Sequence, residues 1–147
     1  MVHSIKIALP VAILVLTFGF WAPVYAQRNT TAKTLETGTF HGKLHHTSGR
    51  ATIYEESDGK RILRLTNFRT SNGPDVHVVL IAVKDANDDA DFLKSGTERV
   101  ELGKLKGNEG DQNYEIPAGT DLNKYRAVSI YCERFNANFG IAPLEKF

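Results

Sequence analysis

From Glu36 onward the chain is built of runs of five to nine residues in which apolar and polar side chains tend to alternate. Gly, Pro, Asn or Asp interrupts each run before a helical period can develop. A repeat of two places successive side chains on opposite faces of a pleated strand, and no stretch holds a long apolar period of 3.6. The spacing predicts strands at Gly38–His45, Arg50–Glu55, Arg61–Phe68, Asp75–Val83, Arg99–Leu105, Gln112–Ile116, Ala127–Phe135 and Phe139–Leu144. Ser57-Asp58-Gly59 and Gly107-Asn108-Glu109-Gly110 read as hairpin turns, and Asn72-Gly73-Pro74-Asp75 as a forced loop. Ala118–Tyr125 has room for one or two helical turns, and Ala86–Ser95 for a short helix or an acidic loop. Nothing alternates strand with helix. The expectation is therefore all-β: one domain, an antiparallel β-sandwich or closed barrel of about eight short strands.

Alternation also assigns faces. Ala51 and Ile53 oppose Thr52 and Tyr54; Leu63 and Leu65 oppose Ile62 and Arg64; Val128, Ile130 and Cys132 oppose Ser129, Tyr131 and Glu133. Asp75–Val83 is apolar on both faces, as expected of a central strand covered on both sides.

Residues 1–26 read as a secretory signal peptide. His3 and Lys6 precede an apolar run from Ile7 to Trp21, and Val24-Tyr25-Ala26 offers a cleavage site. As a helix that run would span about 22 Å against a hydrocarbon core of about 30 Å, so no stable membrane span is expected after cleavage. No cysteine follows the run, which excludes a lipid anchor at the cut site. The mature protein is expected in the periplasm or outside the cell, with residues 27–35 a flexible lead-in and residues 36–147 the β domain. Without the leader the chain holds 17 basic and 17 acidic residues. That balance argues against nucleic acid as a partner, because such binding rests on neutralising phosphates.

One cysteine in an exported chain cannot form an internal disulfide. Cys132 is thus inert filling, a link to another chain, or a working thiol. Arg134, on the same face if the strand runs on to Phe135, is a candidate to stabilise a thiolate. Burial would act the other way. His45 and His46 point to opposite faces, and His41 lies about 13 Å from His45 along an extended strand at about 3.3 Å per residue. No local pair chelates, and the spacing matches no zinc pattern, so no metal site is assigned. A metal held by His45, His46, His77 and the acidic loop ranks last. The run Asp85–Asp91 imitates a calcium loop but has Ala90 where the turn needs Gly, and Gly96 where a bidentate Glu belongs. There is no nucleophile elbow, phosphate loop or dinucleotide fingerprint. A hydrolase is disfavoured.

Four segments taken together resemble a known family. They are Gly38-Thr39-Phe40 through His45–Tyr54, Leu63–Leu80 with its Asn-Gly-Pro-Asp turn, Leu102–Pro117, and Tyr131–Leu144 with an aromatic-Cys pair followed by Phe-Gly-x-Ala. This resembles the DM-thirteen domain, an electron-transfer domain of exported and cell-surface proteins, over about residues 36–145. The resemblance implies an exported redox or electron-transfer module in which Cys132 is a bare redox thiol or a ligand for a prosthetic group. That group would be haem or another metal group, or there would be none, with His45 or His46 at the position where the family often has a His. With no other domain in the chain, a separate redox partner protein is implied. The alternative is a non-catalytic binding or structural β-sandwich whose buried cysteine is inert.

Overall fold

The computed structural model describes residues 31–42, 45–83 and 96–147. The expected leader, the Ala86–Ser95 segment and the calcium-like run lie outside them. Among the described residues nine strands follow one another: β1 Lys33–Thr39, β2 Ser48–Glu55, β3 Arg61–Arg69, β4 Val76–Ile81, β5 Arg99–Lys104, β6 Gln112–Ile116, β7 Ala127–Cys132, β8 Ala137–Pro143 and β9 Glu145–Lys146. They form one sheet in the order β6-β3-β2-β1-β9 and a second in the order β5-β4-β7-β8. Every pairing is antiparallel. The two sheets pack face to face and do not close, so of the two expected architectures the sandwich is realised.

The expected faces hold. Ala51, Ile53, Leu63 and Leu65 of one sheet meet Val76, Val78, Leu80, Val128, Ile130 and Cys132 of the other in a single core. Each aliphatic side chain so removed from water contributes about 1.5–3 kcal/mol before chain entropy is charged against it. β4 is flanked by β5 and β7 and buried along its whole length. Its outward Val79 and Ile81 form a second cluster with Ala127, Tyr131 and Ile141.

Three local differences have physical reasons. β1 begins at Lys33, inside the expected lead-in, because it pairs with β2 and β9 although Glu36 and Gly38 occupy its inward positions. The expected helical turns over Ala118–Tyr125 are irregular turns held by hydrogen bonds around Pro117 and Asp121. The strand expected to reach Phe135 stops at Cys132, because Asn136 adopts a positive φ of 49° and closes a hairpin turn over residues 133–136.

Gly38 is where β1 of one sheet comes against β8 of the other. A Cβ there would lie 2.1 Å from the Pro143 carbonyl oxygen, and backbone cannot swing aside. Gly38→Ala should therefore destabilise the fold by about 1–3 kcal/mol, read as a lower urea midpoint with an unchanged slope.

Candidate functional site

Cys132 is the last residue of β7, opposite Val76 on β4 and Ala137 on β8. Its side chain takes the inward position next after Ile130, and the residue is 0% exposed. Beyond it the sandwich ends. Phe139 stands on the inner face of β8 beside a bulge in the β7–β8 register. Gly73 of the Asn-Gly-Pro-Asp loop lies against both Phe139 and Val76: a Cβ on Gly73 would sit 2.6 Å from Val76 Cγ2 and 3.0 Å from the Phe139 ring. Only glycine permits that approach. Gly73, Val76 and Phe139 thus pack on one another at the end of β7 where Cys132 stands, Val76 being its ladder partner.

Hydrogen bonds fix the cover. The Glu133 amide donates to the Asp75 carbonyl at 2.9 Å, tying the loop to the residue after the cysteine. Thr47 Oγ1 donates to the Phe139 carbonyl at 2.6 Å and accepts from Thr70 Oγ1 at 2.8 Å, so the loop's approach is pinned to β8 as well. The His45 ring stacks on the Phe139 ring, with centroids 3.8 Å apart and planes 15° from parallel. A cavity of about 300 Å³ lies in the loop, lined among others by Gly73, Asp75, Val76 and Lys104.

Arg134 is not where alternation put it. Because β7 stops at Cys132, Arg134 belongs to the hairpin turn, exposed, and does not continue the inward row. His45 reaches the core only through its contact with Phe139, and His46 is exposed. The structure thus brings Cys132 and His45 to the same end of the sandwich but not into a ligand set. Among the described residues, none of five surface cavities of about 260 to 330 Å³ is lined by Cys132. Among the described residues no three His, Cys, Asp or Glu side chains converge to hold a metal. The residues around the sulfur do not fit a haem or metal group held by Cys132 in this conformation.

One polar cluster was not legible in advance. His77, 7% exposed on the outer face of β4, sits between two carboxylates. Its Nδ1 is 2.6 Å from Glu101 Oε1 on β5, and its Nε2 is 3.1 Å from Asp75 Oδ1 on the loop. Lys104 Nζ lies 3.1 Å from the same Asp75 oxygen. The Asp75-x-His77 spacing was visible, since residues two apart share a strand face. Glu101 was not, because it depends on β4–β5 register. Burial works against a charged imidazole and is the largest single influence on it. The hydrogen bonds and charges of Glu101 and Asp75 together outweigh it and hold the His77 pKa above its ordinary value. Asp75 is held below the usual carboxylate range, first by Lys104 and then by His77.

The model of the family described as electron transfer DM13 matches residues 39–144. The chain belongs to this family. No curated protein and no solved structure matches it. Membership supports a general role in electron transfer for the DM13 domain, and the matched span contains the whole end of the sandwich built around Cys132, Phe139, Gly73 and His77. No helix among the described residues is long and apolar enough to cross a membrane.

The His77 cluster has a pH signature. A histidine whose pKa is raised on folding contributes stability that is fully present below about pH 6.5 and is lost as the pH rises through the folded value. Wild type should therefore lose stability relative to His77→Gln as the pH is raised from about 6 to 9. Urea midpoints of the two proteins across that range check it, and parallel curves would contradict it.

Proposed function

We propose that this DM13 domain is exported and exchanges electrons with a separate protein, with Cys132 Sγ as the reacting atom. The observation that carries the reading is the position of the chain's single cysteine. It lies inside the family match, buried at the end of its strand beside the packed Gly73, Val76 and Phe139 and not in the middle of a strand. Support for export comes from the leader-like residues 1–26, which begin with a weakly basic segment and an apolar run too short to span.

The chemistry available to such an atom is thiol–disulfide exchange. The Cys132 thiolate attacks one sulfur of a partner's disulfide, a new S–S bond forms, and the second partner sulfur leaves as thiolate. A thiolate of a second, reduced protein then attacks the partner sulfur of the mixed disulfide; a new S–S bond forms there, the bond to Cys132 breaks and Cys132 leaves as thiolate, so the second protein's thiol is oxidised and the sulfur first released by the partner is reduced. Attack requires the sulfur to be reached, and in the closed structure it is not. Reaction therefore belongs to an opened form, in which the loop at Gly73 has lifted from Val76 and Phe139.

A second reading has its own observation. A sulfur with no exposure among Val, Ile, Phe and Ala side chains is what a packing residue looks like, and free cysteines are among the most buried residue types. On that reading electrons pass by another route and Cys132 fills volume.

The two readings separate on one pair of measurements. With the native full chain, a small aromatic disulfide should titrate one thiol without denaturant, slowly and to completion. Cys132→Ala should abolish electron exchange with a disulfide substrate while costing about 1–3 kcal/mol of stability. A thiol that reacts only after global unfolding, with Cys132→Ala as active as wild type, would leave the packing reading standing.

A further inference from the structure

We propose that Asp75, His77, Glu101 and Lys104 form a proton-operated latch on the Asn72–Asp75 loop, closed when His77 is charged, which controls access to Cys132. The inference rests on the reading of Cys132 as the reacting atom and concerns how that atom is reached.

The argument begins with the donors of an imidazole. The charged ring has two N–H groups; the neutral ring has one N–H and one lone pair. His77 faces a carboxylate oxygen from each nitrogen, Glu101 at 2.6 Å and Asp75 at 3.1 Å. Only the charged ring satisfies both. Once it loses a proton, one of the two contacts sets a lone pair against a carboxylate. Glu101 holds the shorter contact and belongs to a strand of the sheet, whereas Asp75 holds the longer one and belongs to the loop. The loop contact is the one that gives.

Asp75 is also the residue through which the loop meets the thiol's strand. Its carbonyl accepts the Glu133 amide at 2.9 Å, directly after Cys132. Two residues earlier in the loop, Gly73 rests on Val76 and Phe139. Release of the Asp75 carboxylate therefore loosens the segment that covers the end of the core. Lys104 remains as the second partner of Asp75, but its side chain is 77% exposed, and an ion pair of that kind holds a loop weakly.

Among the described residues, the charged and titratable groups facing His77 come from three elements. The loop supplies Asp75. β5 supplies Glu101 and Lys104, the latter opposite His77 in the ladder. β7 supplies Tyr131, also opposite His77, whose ring carries Arg99, itself paired with Glu133 at 2.9 Å. The two carboxylates touch the imidazole nitrogens directly, so they dominate its protonation.

The test is the rate at which a small aromatic disulfide modifies Cys132 in the native full chain. It is measured from pH 6 to pH 9 for wild type, His77→Gln, Asp75→Asn and Gly73→Ala. Taking each variant's rate relative to wild type at the same pH cancels the ionisation of the thiol. His77→Gln and Asp75→Asn should react roughly tenfold faster than wild type at pH 6, a ratio that falls towards one at pH 9, where wild type has unlatched. Gly73→Ala, whose Cβ forces the loop off Val76, should react faster at every pH.

A ratio that stays at one, or one that does not change with pH, overturns the latch; so does a Gly73→Ala rate equal to wild type. If a variant fails to fold, the wild type alone decides. The amide resonances of Gly73 and Glu133 should titrate together with the His77 ring, and amides that ignore that titration overturn the proposal. Its failure is distinguishable from failure of the redox reading. Gated labelling with a fully active Cys132→Ala keeps the latch and removes the redox role, whereas ungated labelling with an inactive Cys132→Ala does the opposite.

Discussion

The face-to-face packing of two apolar rows sets everything else in this molecule. Val128, Ile130 and Cys132 lie in one row on β7 and meet Ala51, Ile53, Leu63 and Leu65 across the sandwich. Because the side-chain period of a strand is two, slipping β7 by one residue would send all three outward and bring Ser129 and Tyr131 into the core. The cost of that exchange locks the register, and the register puts the sulfur inside. A cysteine placed this way cannot be presented through the face of a sheet. It can be reached only from the end of the strand, where the row stops.

That is why the end of the sandwich matters more than its surfaces. At Cys132 the core is closed by groups that are not part of the sheet hydrogen-bond ladder on their outer side: Gly73 on the loop, the Phe139 ring beside a bulge, and the His45 ring stacked upon it. Bulges and loops are the parts of a sheet protein that move at least cost, since few ladder bonds must break. Among the described residues, the opposite end shows no comparable arrangement around a cysteine. There the inward Glu36 is buried, and its carboxyl is pushed above the ordinary range by loss of water, partly offset by Arg126 and Lys146.

What could be read from the residues follows from which interactions are local. Strand faces are local, so Ala51, Ile53, Leu63, Leu65, Val128 and Ile130 were placed correctly by alternation alone. β1 was misjudged at its start because its inward positions carry Glu36 and Gly38, which leave no apolar signal; Gly38 is there because the Pro143 carbonyl comes too close for any side chain. Arg134 was placed on the wrong surface because nothing in an alternating run announces that Asn136 will take a positive φ and end the strand at Cys132. The His77 cluster needed a partner from β5, twenty-four residues away in sequence, and that pairing is decided by tertiary register. The four segments that resemble the DM-thirteen domain made the family legible before any geometry was known.

On the proposed reading of the chain as exported, a buried Cys132 answers a problem that an exported protein faces and a cytosolic one does not. In an oxidising compartment an exposed, ionised cysteine is drawn into mixed disulfides or up the oxidation ladder, and beyond sulfenic acid the loss is in most cases permanent. Protection and reactivity are therefore in direct conflict at one atom. A rigid apolar seal gives protection and abolishes exchange; a permanent opening does the reverse. A cover held by a glycine contact, the Glu133-to-Asp75 backbone bond, the Thr47 bonds to Phe139 and Thr70, and the His77 and Lys104 contacts to the Asp75 carboxylate lies between those extremes, because these contacts can break without unfolding a sheet. On the proposed reading, the open form is a minor state that a partner supplying a disulfide at the end of the sandwich traps.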